Sequence, residues 1–387
     1  MTNFIHKICP ELLKVVSLNI AEPLTNCIIY TNDYRKLKAQ IEVSGIKVLE
    51  YPFINAIGAK LNSSQIIKYA KQNCVKFISK QAKVSTLIQT SKKIMRVENF
   101  YNKGIYGENT TIAIIDTGIN PHLDFVLPEN RIIKFVDLIS NKKNPYDDNG
   151  HGTFVASIAC GNGFISGKKF CGIAPKAKII SIKALEDTGE TGAFKILEAM
   201  QWVYDNKQKY NIKVVCMSFG SVPLSKNDPL VLGAEALWNI GITVVAAAGN
   251  SGPEQQTIKS PGFSSKIITV GGLDDKRQND KFKEENFEIA YFSSRGPAGF
   301  FYKPDLVAPA VNIIGASLDN EFYTKMSGTS VATPMIAGIC CLILSKYPYL
   351  TPDQLKIRLL RNCKEITGNK NIEGFGLANF DRFFEYI

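Results

Sequence analysis

The sequence predicts a small α+β domain followed by a larger α/β domain, whose mostly parallel sheet is covered by helices on both faces. Two observations support this prediction. Between residues 26 and 79 the segments follow the order strand, helix, strand, strand, helix, strand, which suits a ferredoxin-like sheet. Beyond residue 110, continuous apolar strands alternate with helices, which is typical of a buried parallel sheet.

The elements of the small domain follow from its apolar spacing and its caps. Asp33 is placed to cap a charged helix, and a second helix begins at Ser63. The four runs expected to be strands are 27–30, 46–51, 56–61 and 74–78. These elements divide the chain into an N-terminal extension, a ferredoxin-like domain and a large domain at residues 1–25, 26–90 and 91–387.

The large domain is predicted from apolar runs of two kinds. Strands are expected at 111–115, 177–182, 214–217, 243–248 and 267–270. Helices are expected at 152–159, 193–206, 230–240, 333–347 and 352–361. Residues 80–110 are polar and irregular, so their pattern indicates a linker between the domains.

Charge and hydropathy argue against two classes of partner. The 387 residues carry 46 Lys and Arg against 35 Asp and Glu, a net charge of +11. The lysines are scattered in ones and twos, which is unlike a tract that binds nucleic acid. A mean hydropathy of -0.03 and the lack of a long uncharged apolar run argue against a membrane-spanning protein. We therefore expect neither nucleic acid nor a membrane as partner.

The cysteines indicate a reducing compartment. There are nine, an odd number, and no pair has C-x-x-C spacing. Several lie in apolar runs, which favours buried free thiols over disulfides or a zinc site. The first residues also lack an apolar leader. These features predict a cytoplasmic protein.

Four polar residues stand where catalytic groups are often found. Asp116 ends a buried strand, and His151, one of three histidines, lies between two glycines at the head of an apolar helix. Ser330 lies among small residues that lead into another apolar helix, and Asn250 follows a buried strand. Taken singly, each is more simply explained as a cap or a turn residue. Together they supply an acid, a base, a nucleophile and a donor to an oxyanion.

The order and surroundings of these four residues resemble those of the subtilisin-like serine proteases, the subtilases. The matching stretches are Ile-Asp-Thr-Gly at Asp116, Asn-Gly-His-Gly-Thr at His151, Ala-Gly-Asn at Asn250 and Gly-Thr-Ser-Val-Ala-Thr-Pro at Ser330. Further matches lie at 172–175, 217–220, 292–297 and 303–309, so the resemblance covers about residues 100–387.

The resemblance implies a serine endopeptidase that acts on a protein or peptide substrate and needs no metal or cofactor for its chemistry. Ser330 would be the nucleophile, His151 the base, Asp116 the residue that orients the base, and Asn250 an oxyanion donor. The substrate would lie extended against residues 183–191 and 217–220. The implied substrate-binding residues are Gly189, Ser218, Phe219, Gly220, Ala247, Ala248 and Gly249.

Lys259 departs from the family pattern. Many subtilases have a small residue at this position, on the floor of the main specificity pocket. An unpaired buried ammonium is costly, so we hypothesise that Lys259 favours an acidic or amide side chain just before the cleaved bond, or that it narrows the pocket. The alternative is a Lys259 that points to solvent.

A structural calcium ion is a further implication of the resemblance. Many subtilases bind calcium through an early aspartate and a loop after the histidine helix. Asp124 and residues 162–166 lie in the corresponding places, although the match is imperfect. Ordinary polar loops are the alternative interpretation, because calcium needs several converging oxygen ligands.

Residues 26–79 resemble the inhibitor-type propeptide of the family, and the chain as a whole is most similar to the intracellular, AprX-like branch. The resemblance implies that the first domain is the enzyme's own inhibitor. Residues 81–87 would then thread the active cleft as the first substrate, and autocleavage would fall between about residues 80 and 95.

Two other functions remain open at this point. One is a pseudoprotease that keeps the fold and binds a protein partner, and the other is a processing protease with a single target. A nucleic-acid-binding module, supported only by the net charge of +11, ranks third.

Overall fold

The computed structural model describes residues 4–9, 12, 13, 16, 24–80, 83–86, 93–223, 227–276, 282–318 and 322–384. Most of the N-terminal extension lies outside the described residues. The same is true of residues 87–92, within the expected cleavage region.

The N-terminal domain has the ferredoxin-like topology that the sequence predicts. Its elements are β1 Thr25–Thr31, α1 Tyr34–Glu42, β2 Val48–Tyr51, β3 Ala56–Leu61, α2 Ser63–Ala70 and β4 Val75–Lys80. The four strands are antiparallel in the order β2-β3-β1-β4. The expected cap is confirmed, since Asp33 Oδ1 accepts a hydrogen bond from the Lys36 backbone N–H at 3.1 Å. Ile8 of the extension bridges Ile78 in the edge strand β4 and shares the core of this domain.

A mostly parallel sheet forms the centre of the large domain. Its strands are β6 Thr111–Asp116, β7 Ile132–Asp137, β8 Lys178–Lys183, β10 Ile212–Met217, β12 Thr243–Ala247, β13 Ile268–Asp274, β14 Glu288–Ile289, β15 Leu306–Pro309, β18 Cys363–Lys364 and β19 Leu377–Ala378. The order is β18-β19-β15-β13-β12-β10-β6-β8-β7, and β14 pairs with β13. The strands β16 Ile313–Ala316 and β17 Tyr323–Met326 form a separate two-stranded sheet. Only the pairs β18–β19 and β13–β14 are antiparallel among the described strands of the central sheet. The strands adjacent to β6 are therefore parallel to it, which brings their carboxyl ends to the same edge.

Helices cover this sheet on both faces, as predicted. The helices of the described large domain are α3 Glu98–Tyr101, α4 Leu123–Val126, α5 His151–Cys160, α6 Ala193–Tyr210, α7 Pro229–Asn239, α8 Thr329–Lys346, α9 Pro352–Arg361 and α10 Lys370–Glu373. On one face α5 packs against α8, and on the other α6 packs against α7. Within the described residues, α8 is the one helix long and apolar enough to cross a membrane, and 89% of it is buried inside the protein, as expected of a core helix.

One strand falls inside the segment whose pattern indicates a linker. Residues Lys83–Thr86 form β5, which lies between β9 Glu190–Gly192 and β11 Phe219–Gly220 in a three-stranded sheet. Both of its neighbours are antiparallel to it, with Ser85 opposite Glu190 on one side and Gly220 on the other. The linker interpretation is wrong for these four residues. Their partners lie more than a hundred residues away in the chain, so local pattern carries no signal of the pairing.

The helix that carries Ser330 begins earlier than predicted. The sequence suggests a start at residue 333, with Pro334 in the first turn, whereas α8 begins at Thr329 and includes Pro334. The Thr329 backbone N–H has an acceptor outside the helix, because it donates to Asn250 Oδ1 at 2.9 Å. This cap, which sequence alone does not reveal, starts the helix one turn sooner and places Ser330 in its first turn.

The N-terminal domain docks on α6 and α7 through the end of β2 and the residues that follow it. Tyr51 OH donates a hydrogen bond to the Phe194 carbonyl at 3.1 Å. The backbone N–H of Phe53 donates to Gln201 Oε1 at 3.1 Å, and its ring lies 6.0 Å from that of Tyr204. The domain is thus held at two places, by this contact and by β5.

Candidate active site

Asp116 and His151 lie in direct contact at the carboxyl edge of the central sheet. Asp116 is the last residue of β6 and His151 is the first of α5. His151 Nδ1 lies 2.5 Å from Asp116 Oδ1, and both side chains are buried. Asp116 Oδ1 also accepts from the Thr117 backbone N–H at 2.7 Å. A carboxylate that already accepts a hydrogen bond favours the tautomer with its proton on Nδ1, which leaves Nε2 as the basic atom.

Asp147 holds the loop before His151 in place, although the sequence motifs give it no role. Its Oδ1 accepts from Thr117 Oγ1 at 2.9 Å, and its Oδ2 accepts from both the backbone N–H and the Oγ1 of Thr153 at 2.8 and 2.7 Å. Thr117 Oγ1 in turn accepts from the Gly152 N–H at 2.8 Å. These bonds connect the turn after Asp116 to the first turn of α5. An aspartate four residues before the histidine is the only trace of this network in the sequence.

A buried lysine supports the same two loops. Lys183, at the end of β8, is 0% exposed, and its Nζ donates to the carbonyl oxygens of Thr117 and Leu185 at 2.7 and 3.0 Å. The same Nζ pairs with Asp148 Oδ1 at 2.6 Å. Sequence reasoning missed this supporting role because Lys183 follows the predicted strand 177–182 and its partners lie in other loops, where local pattern does not show them.

Ser330 lies in the first turn of α8, which packs against the helix of His151. It is 0% exposed, and its Oγ makes no hydrogen bond to any described residue. The backbone N–H groups of a first helical turn have no partner inside their own helix. Ser330 therefore combines an uncommitted hydroxyl with N–H groups at the positive end of a helix, a place that favours negative charge.

The amide of Asn250 is oriented by the residue before Ser330. Asn250 Oδ1 accepts from the backbone N–H and the Oγ1 of Thr329 at 2.9 and 3.0 Å. Thr329 Oγ1 also accepts from the Gly249 N–H at 3.1 Å. Because a backbone N–H must face the oxygen of the amide, Oδ1 is fixed and Nδ2 remains as a donor beside Ser330. Sequence reasoning selected Asn250 but not Thr329, which orients it.

The geometry agrees with a family model. The model that describes the subtilase family, peptidase S8, matches residues 107–376. The chain belongs to the subtilase family.

Named relatives agree with this assignment. The subtilase is 40% identical to the serine protease AprX of Bacillus subtilis over 322 residues, which cover 76% of this chain and 71% of the relative. It is 32% identical to the thermostable alkaline protease of Halalkalibacterium halodurans, with coverage of 86% and 84%. The chain is thus a subtilisin-like serine endopeptidase.

A solved structure confirms the fold. The crystal structure of fervidolysin from Fervidobacterium pennivorans, a keratinolytic enzyme related to subtilisin, matches with a TM-score of 0.74 at 20% identity. The match covers 94% of this chain and 61% of the fervidolysin chain. At that identity the likeness establishes the architecture alone. The predicted subtilisin-like fold is confirmed.

The expected substrate-binding residues of the subtilase lie along two strand edges and one strand end. Phe219 and Gly220 form β11, next to β5, and Ser218 precedes them. Gly189 closes the turn that leads into β9, with a φ of 76°. The third segment continues β12 and consists of Ala247, Ala248 and Gly249.

Lys259 lies between two of these segments. Its backbone N–H donates to the Ala248 carbonyl at 2.8 Å. A Cβ added to Gly220 would collide with Lys259 Cβ, and one added to Gly249 would collide with Lys259 Cγ. The aliphatic stem of this lysine therefore fills the space between β11 and the strand end at Gly249.

Asp124, the candidate calcium ligand, has a carboxylate that is already bound by hydrogen-bond donors. Its Oδ1 accepts from the Ile165 N–H at 3.1 Å and its Oδ2 from Tyr323 OH at 2.7 Å. No group of three His, Cys, Asp or Glu able to hold a metal occurs among the described residues. Calcium is bound by oxygen ligands, whereas the groups that face this carboxylate are hydrogen-bond donors. The geometry therefore gives no support to calcium at Asp124, and the ion stays a prediction.

A test of the close approach between the two catalytic loops is Gly152→Ala. A Cβ at Gly152 would overlap the carbonyl oxygen of Gly118, in the turn after Asp116. We expect kcat for casein hydrolysis to fall about 100-fold, because a shift of roughly 1 Å between catalytic groups has that effect. The control is Gly104→Ala, where φ is 72° and the space is open. The control should lose roughly 1 kcal/mol of stability, because alanine is unfavourable at a left-handed φ, and it should keep its kcat. Equal activities of the two variants would contradict the steric argument.

Proposed function

We propose that this endopeptidase cleaves peptide bonds through an acyl-enzyme on Ser330, with His151 and Asp116 as the other members of the triad, and that it is made as a self-inhibited precursor. The observation that carries the first part is the 2.5 Å contact between His151 Nδ1 and Asp116 Oδ1, next to the helix that begins with Thr329 and Ser330. The chemistry needs no metal and no cofactor.

In the proposed mechanism His151 Nε2 takes the proton of Ser330 as Oγ attacks the scissile carbonyl, and it later delivers that proton to the leaving amine. Asp116 holds the ring through Nδ1 and stabilises its protonated form. The Ser330 backbone N–H and Asn250 Nδ2 bind the oxyanion as charge develops. Water then releases the acyl group by the same steps in reverse.

The precursor part of the proposal rests on β5. This strand occupies the position between β9 and β11 where an extended substrate would pair with the protein on both sides. From Ser85 to Thr86 the strand runs from Gly220 towards Ser218, the residue that follows β10. The register therefore leads the chain towards the carboxyl edge of the sheet, where Asp116 lies. We expect autocleavage just beyond residue 86 and before residue 96, within the range inferred from the resemblance.

Self-cleavage is tested by the intact mass of the full-length protein and of its Ser330→Ala variant. The wild type should yield two fragments separated between residues 86 and 96, while the variant should remain whole, because its nucleophile is absent. Cleavage of the variant at the same bond would assign the cut to another protease and remove Ser330 from the proposal.

The oxyanion role is tested by Asn250→Asp. The change keeps an oxygen for Thr329 to bond and removes the Nδ2 donor, so the start of α8 is preserved. We expect kcat to fall roughly 10²–10³-fold with little change in KM. Asn239→Asp is the matched control, since Asn239 is exposed and its Oδ1 accepts from Lys266 Nζ, a contact that aspartate retains. An Asn250→Asp enzyme as fast as this control would exclude the role.

Inhibition by the first domain is tested with residues 1–86 added as a separate polypeptide to the cleaved enzyme. It should inhibit, and Phe53→Ala should weaken inhibition about tenfold, because the ring packs beside Tyr204 and Gly233. Val43→Ala is the control, since Val43 is 90% exposed. Activity that is unchanged by the wild-type domain would refute the inhibitory role.

The two alternative functions predict different results with casein as substrate. A pseudoprotease would leave unfolded casein intact, and a processing protease would cleave one partner while sparing casein. The cytoplasmic location stays a prediction, as does the absence of nucleic-acid and membrane partners.

A further inference from the structure

Lys259 combines a closely packed stem with an ammonium that has no described partner. The stem lies against Gly220 and Gly249, in the cleft beside β5. No hydrogen bond or ion pair joins its Nζ to any part of the chain that the structure describes. Partial burial lowers the pKa of the ammonium below the ordinary range of lysine, and no neighbouring carboxylate opposes the shift. Desolvating a cation without a partner is unfavourable.

Two fully buried lysines of the same chain show the usual solution. Lys183 Nζ lies 2.6 Å from Asp148 Oδ1, and Lys303 Nζ lies 2.6 Å from Asp305 Oδ2. Each also donates to further oxygens of the protein. Lys259 is the exception among these three, and its position in the cleft means that a bound molecule can provide the missing acceptor.

We propose that Lys259 makes the enzyme select an acidic side chain immediately before the cleaved bond. The inference rests on the proposed function, because it requires that the space between Gly220 and Gly249 receives that side chain of the substrate. A carboxylate entering this space would gain a charge-assisted hydrogen bond in a partly dehydrated site. A leucine would meet the apolar stem but leave the ammonium unpaired.

The precursor's own cleavage region does not offer the residue that this preference favours. Residues 81–95 contain no aspartate or glutamate, so neither β5 nor the expected cleavage region contains the preferred residue. Cleavage within one molecule benefits from a high effective concentration, which offsets a poor fit at one pocket. After cleavage the segment is a weak substrate, and a weak substrate persists longer as an inhibitor.

The test uses cleaved enzyme and peptides that differ only in the residue before the cleaved bond, which is Glu, Gln or Leu. For the wild type, kcat/KM should be about tenfold or more higher for Glu than for Gln, the range of one hydrogen bond to a charged group. In Lys259→Met, which keeps the length and removes the charge, this ratio should fall to about one, and the leucine peptide should be cleaved faster than by wild type. Lys259→Glu should prefer a peptide with Lys.

Two controls distinguish an effect of Lys259 in the pocket from an effect of the overall charge of the protein. The first control is a peptide whose Glu lies after the cleaved bond, so that its net charge is unchanged. If attraction to the net charge of +11 on the chain does not cause the preference, kcat/KM for this peptide should be no higher than for the Gln peptide. Lys325→Met removes an exposed lysine outside the cleft and should retain the wild-type ratio. If Lys259→Met does not fold, Lys259→Gln replaces it.

The outcomes are distinct. A wild type without preference for Glu over Gln, or a preference that survives in Lys259→Met, would overturn the role of Lys259 and leave the protease intact. Failure of the wild type to cleave any of these peptides or casein, or equal cleavage by Ser330→Ala, would instead refute the proposed function.

Discussion

The contact between Asp116 and His151 depends on two backbones that approach each other without side chains between them. Gly118 has a φ of 126° and Gly152 lies against its carbonyl oxygen. Only glycines allow the turn after β6 and the first turn of α5 to meet so closely. The network of Asp147, Thr117 and Lys183 then fixes the distance, because Thr117 bonds to the loop of His151 and Lys183 bonds both loops to β8. The central sheet supplies the frame on which these loops are held.

Prediction from sequence was accurate where local pattern determines structure. The run Thr111–Asp116 is buried at every position, and a continuous apolar strand of this kind is recognised from its residues alone. β7 was missed because it lies at the edge of the sheet and alternates between buried and partly exposed residues around Lys134. β5 was missed as a strand for a different reason. Its partners come from two distant segments, and only the family resemblance placed this part of the chain in the cleft.

The residues of the candidate site also fall into two groups, those that local sequence predicts and those that it does not. Asp116, His151, Asn250 and Ser330 were selected from sequence because glycines and small residues surround them. The groups that orient them were not, since Asp147, Thr329 and Lys183 act through three-dimensional contacts that leave no local signature. Lys259 departs from a family pattern that the sequence shows, but the contacts of its stem with Gly220 and Gly249 depend on the three-dimensional structure.

The three-stranded sheet around β5 has a consequence for what the enzyme can cut. Among the described strands, β9 and β11 are joined only through β5, so the departure of β5 leaves a slot one strand wide between two edges with unpaired backbone groups. A chain that fills this slot must offer an extended segment whose own hydrogen bonds are already free. A folded protein has such a segment only during local opening. Its rate of digestion is then governed by how often it opens, and so depends on the stability of the substrate protein as well as on the residue before the cleaved bond.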